Sequence, residues 1–94
     1  MHIASITLLE IARLAATKRI ATTATVDALL SSIETEFTVL PITAAVAAAT
    51  TRLPASYPRD PADRIIGATA LVHGATLVTA DQRIRKAKAV RTLW

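Results

Sequence analysis

Apolar residues recur at two spacings along this chain, and the change from one spacing to the other lays out its elements. Leu8, Leu9, Ile11, Ala12 and Ala15 follow a helical period. Thr7-Leu8-Leu9-Glu10 has the T-x-x-E form of a capping box, so the first helix is expected to begin at Thr7. A second helix is predicted from about Val26 to Glu36, with Thr25 as N-cap and Leu29, Leu30 and Ile33 turned inward. Phe37-Thr38-Val39-Leu40 reads as a short strand stopped by Pro41, and a third helix follows from about Thr43 to Arg52. Pro54 and Pro58 bracket a loop that carries Tyr57. Asp60 is a strong N-cap, Pro61 suits the first helical position and Gly74 marks the stop of a fourth helix. Ala75–Thr79 is a buried-type strand, a short basic helix follows Asp81, and Val90–Trp94 closes the chain as a final strand. The resulting order, α-α-β-α-α-β-α-β, ends in alternation and predicts an α/β fold with a parallel sheet.

Composition narrows the class. Ninety-four residues, 52% of them apolar and only two of them Gly, make one ordered domain spanning 1–94. Phe37, Tyr57 and Trp94 are the aromatic residues, so Leu, Ile, Val and Ala must fill the core. Without Cys there is no disulfide framework and no thiolate metal site, which fits a cytoplasmic protein. No apolar run approaches the roughly 18–20 residues that span a bilayer, and Met1–Leu9 lacks the pattern of a signal peptide. A soluble protein with no membrane partner is expected.

The net charge of +4 is concentrated: Arg83, Arg85, Lys86, Lys88 and Arg91 follow one another without an intervening acid. Such a segment suits a polyanion, RNA being the obvious one. On charge alone a solvated helix face is the stronger reading.

The acids invite a closer look because of where they fall. Glu10 sits where a capping box would use it, and on spacing alone that reading is the stronger. Asp63 occupies the third position of the Asp60 helix, where it complements the helix dipole, and Asp81 can serve as the cap of the next helix. Taken together they also meet the needs of a Mg²⁺ or Mn²⁺ site, which takes hard oxygens from separate elements and keeps positions for water and phosphate. Asp60 is better read as a cap than as a ligand. His73 and His2 lack zinc-pair spacing, and His2 reads as a terminal bystander.

Asp60-Pro61-Ala62-Asp63-Arg64, the Ile66-Gly67-Ala68-Thr69-Ala70 helix that continues it and Thr76-Leu77-Val78-Thr79-Ala80-Asp81 closely resemble the C-terminal half of PIN-domain ribonucleases, above all the VapC-type toxins of toxin–antitoxin pairs. The likeness runs from Ile3–Glu10 to the last strand. It implies a three-layer α/β/α fold with a mainly parallel sheet. It also implies that Glu10, Asp63 and Asp81 bind Mg²⁺ or Mn²⁺, that Thr79 assists, and that RNA phosphodiesters are hydrolysed by a metal-activated water. Arg64 is expected to hold substrate or the adjoining loop, with an i,i+4-type surface contact as an equal alternative, and Arg83, Arg85 and Lys86 of the basic segment are the candidates for binding RNA. By the same resemblance the partner is a cognate VapB-type antitoxin whose basic side chain enters the acidic cleft.

One part of the family pattern has no counterpart here: the first strand with its leading Asp. Met1–Ser5 stands in place of the residues that usually lead into the Glu10 helix, so the fold is expected to be incomplete at the N-terminus. Loss of a central strand would open two edges. A fragment or late start codon, a homodimer or larger assembly that fills the gap, and a rearranged fold are the three explanations. They support an alternative function, a catalytically incomplete PIN remnant acting as a binding or oligomerisation module. An independent RNA-binding domain is the weaker third reading, because the chain has few aromatic side chains on which bases could stack.

Overall fold

The computed structural model describes residues 1–17 and 24–80. The chain opens with a strand, β1 (His2–Ala4), which runs directly into α1 (Ser5–Ala16). Then come α2 (Val26–Glu36), β2 (Thr38–Leu40), α3 (Ala44–Thr50) and α4 (Pro61–His73). The basic helix after Asp81 and the strand expected over Val90–Trp94 lie outside the described residues.

The sheet is parallel, as the alternation of elements predicts. His2, Ile3 and Ala4 face Thr38, Val39 and Leu40 in register. On its other side β1 meets Leu77 through a parallel bridge at His2. The backbone closes both seams: the Thr38 N–H donates to the Met1 carbonyl at 2.9 Å, and the Val78 N–H donates to the His2 carbonyl at 3.0 Å. β1 therefore lies between β2 and the bridged Leu77. His2 is a sheet residue with an exposed side chain rather than a bystander. Of the strand expected over Ala75–Thr79, only Leu77 pairs among the described residues.

The capping box is a second correction. Helix α1 begins two residues early, at Ser5, with Ala4 as its N-cap and no side-chain cap bond. Thr7 lies inside the first turn, fully buried, and its Oγ1 has no hydrogen-bond partner. The strand β1 feeds straight into the helix, and burying Ile3, Ala4 and Ile11 outweighs the local cap. The inward stripe of α1 accordingly runs through Leu8, Ile11, Leu14 and Ala15. Leu9, read from the pattern as inward, is exposed.

Other local signals operate as read. Thr25 caps α2 by accepting from the Ala28 N–H at 3.1 Å, and Thr43 caps α3 by accepting from the Val46 N–H at 3.2 Å. Helix α3 stops at Thr50, two residues before Arg52. There the Thr50 and Thr51 hydroxyls turn back to the Ala47 and Ala48 carbonyls at 2.6 and 2.7 Å and tighten the last turn. Gly74 ends α4 in the left-handed region (φ 58°) that glycine occupies without penalty. Asp60 holds the N-cap position of α4, but its side chain makes no cap bond there.

Two apolar clusters hold these elements together. Ile3, Ile11, Leu29, Ile33, Phe37 and Ala80 join β1, α1 and α2 with the segment after Leu77. Val46, Ala49 and Ala68, with Ile65 against them, join α3 to α4. Small side chains in the second cluster let the two helices approach closely, at the cost of the larger hydrophobic gain that Leu or Ile would bring. Among the described residues, no helix is long and apolar enough to cross a membrane.

Candidate active site

The fold brings three chain segments to one place. Glu10 projects from the middle of α1 between the buried stripe and solvent, and is itself partly buried. Asp63 is in the first turn of α4, exposed, where the helix dipole favours a negative charge. Thr79 follows the bridged Leu77, and the buried Ala80 next to it anchors the segment in the core. These three side chains share a pocket of about 220 Å³, lined also by Tyr57, Pro58, Ile66 and Ala80. Two acidic residues and a threonine, from three separate segments, thus line a common space. Among the described residues, no three His, Cys, Asp or Glu side chains form a group that could hold a metal ion. Asp81, directly after Ala80, lies outside the described residues, as do Arg83, Arg85 and Lys86.

Arg64 has a different position. It does not line the pocket. Its Nη1 donates to the Pro58 carbonyl at 3.3 Å and its Nη2 to the Thr50 carbonyl at 2.9 Å. One guanidinium thereby ties the end of α3 and the loop before α4 to the start of α4. A planar fork with several fixed donors is suited to holding two carbonyls at once, where an ammonium would hold them poorly. Of the two roles that the resemblance implies for Arg64, loop and substrate, these bonds serve the loop.

That loop supplies pocket residues which the sequence alone did not single out. Tyr57 lies half-buried against α4, and its hydroxyl donates to the Asp63 carbonyl at 3.2 Å. Its ring passes so close to Gly67 that a Cβ there would collide with the phenol. A glycine inside an otherwise Ala-rich helix costs about 1 kcal/mol relative to alanine. Gly67 was therefore the legible sign of a close approach, although nothing in the sequence named the group approaching.

The PIN domain family model matches residues 1–90. The chain is 42% identical over 96 residues to Ribonuclease VapC22 of Mycobacterium tuberculosis (strain ATCC 25618 / H37Rv), a match covering 100% of this chain and 74% of that protein. No solved structure matches it. With an α/β core built on parallel pairing and a match across nearly its full length, the chain belongs to the PIN-domain family, in its VapC-type group.

Proposed function

We propose that this protein is a metal-dependent endoribonuclease that hydrolyses RNA phosphodiesters, with Glu10, Asp63 and Asp81 as ligands of Mg²⁺ or Mn²⁺ and Thr79 beside them. The observation that carries this reading is the meeting of Glu10 and Asp63, from different helices, with Thr79 in one pocket. Its relative in M. tuberculosis bears the name of a ribonuclease. The donor set fits a hard divalent cation: carboxylate and hydroxyl oxygens, with no nitrogen or sulfur in the lining side chains among the described residues. A cation bound there neutralises charge at the phosphate and makes a water acidic enough to attack at neutral pH.

The remaining roles belong to the chain's own residues. Thr7 and Ile11 are buried and anchor the stretch of α1 that carries Glu10. The N-terminus of α4 offsets the repulsion that Asp63 would otherwise feel from Glu10. The Thr79 hydroxyl can donate to a phosphate oxygen and orient it. Arg64 fixes the loop that forms one wall. Arg83, Arg85 and Lys86 supply phosphate affinity that weakens with salt. A cognate VapB-type antitoxin is the protein partner of this reading. Homodimerisation and a cytoplasmic location go with it, and copurification with the neighbouring gene's product tests the partner.

Cleavage of RNA by the purified protein in Mg²⁺, with chelator as control, tests the site. Glu10→Gln and Asp63→Asn should each lower the rate at least about 10- to 100-fold, the loss typical of disturbing even an outer-sphere partner of a metal. Unchanged cleavage by Asp63→Asn would remove the proposed site, whereas no cleavage by the folded, unaltered protein would leave the binding-module alternative.

A further inference from the structure

The pocket has a chemical asymmetry that the acids do not explain. Glu10, Asp63 and Thr79 bring side chains with oxygens, whereas the side chains of Tyr57, Pro58 and Ile66, which line the same space, are largely apolar. A cation and a phosphate need only the oxygen side. The apolar side calls for a ligand that carries a flat, weakly polar face close to its phosphate. A nucleotide has such a face in its base.

Tyr57 is built to receive that face. It is only half-buried, so part of the residue stays accessible. Its hydroxyl is tethered to the Asp63 carbonyl at 3.2 Å, and its N–H donates to the Pro54 carbonyl at 2.9 Å. The ring is set against Gly67, where no Cβ pushes it away. Arg64 holds the loop through the Pro58 carbonyl. An aromatic ring already fixed in place loses little freedom when a ligand stacks on it. Stacking also tolerates any base, because every base has a π-face.

From this geometry we infer that Tyr57 is the stacking wall of the site and takes the face of a nucleobase adjoining the phosphate that the acidic side holds. The inference rests on the ribonuclease reading of the same pocket and adds to it a contact for the base.

The chain has a single tyrosine, so the ring signals of tyrosine in an NMR spectrum report this residue alone. The full chain, in millimolar Mg²⁺, is titrated with adenosine 5′-monophosphate and, separately, with ribose 5-phosphate. The expected result is an upfield movement of the Tyr57 ring signals with the nucleotide and none with the sugar phosphate. The nucleotide should bind at least about fivefold more tightly, the low end of what one stacked base contributes. Tyr57→Leu should abolish that preference, Tyr57→Phe should keep it, and Asp63→Asn should weaken both ligands alike. Equal binding of the two ligands with no ring shift would overturn the stacking role and leave the ribonuclease reading standing. Failure of both ligands to bind would overturn the two together. The titration of the unaltered protein decides the matter even if a variant does not fold.

Discussion

Tyr57 and Gly67 interlock: the phenol ring lies across the one position of α4's interior that lacks a side chain, and its hydroxyl reaches the Asp63 carbonyl one turn earlier. The contact joins the loop before α4 to the helix turn that carries a candidate ligand. A packing contact between uncharged groups thus helps to position the turn that carries a carboxylate.

Gly67→Ala gains helix propensity of about 1 kcal/mol but overfills the contact with Tyr57, a cost of about 1–3 kcal/mol. Net destabilisation is expected in urea denaturation. In a Tyr57→Ala background the same substitution should become stabilising, because the ring that it would strike is gone. Stabilisation in both backgrounds would show that the ring does not press on Gly67.

Arg64→Lys keeps the charge and loses the fork that spans the Pro58 and Thr50 carbonyls. A loss of about 1–3 kcal/mol is expected, since the Thr50 bond is partly buried. Equilibrium denaturation checks it. If stability were untouched while RNA affinity fell, Arg64 would belong to substrate binding instead.

Thr7→Val replaces a buried hydroxyl without a partner by a methyl group of nearly the same shape. Stability should hold or rise by about 1 kcal/mol, because an unsatisfied buried hydroxyl is costly in the folded state. A fall of that size in thermal or urea unfolding would mean that the hydroxyl is bonded in solution.

The helix caps make a contrasting pair. Thr43→Ala removes the bond to the Val46 N–H and should cost about 1 kcal/mol. Asp60→Ala removes no cap bond and should cost clearly less, despite the stronger ranking of Asp as a cap. Equal losses in denaturation would place the Asp60 carboxylate on the helix end after all.

Local chemistry was enough to mark much of this protein. Thr25 as a cap, Gly74 as a stop and the span of α2 follow from interactions within a few residues, which a sequence records directly. The acids Glu10 and Asp63 could be named as candidates, because carboxylates at such positions together with the family motif are visible in one dimension. Their meeting with Thr79 in one pocket could not be read from spacing, and neither could the part played by Tyr57. Both depend on how α1 and α4 pack across long separations in the chain. Thr7 shows the same limit from the other side: its local pattern asks for a cap, yet β1 and the core beneath α1 bury it. Where a single turn decides, the residues speak for themselves. Where burial decides, the hydrophobic gain of the whole packing overrides a local preference worth about 1 kcal/mol, and only the folded chain shows which one wins.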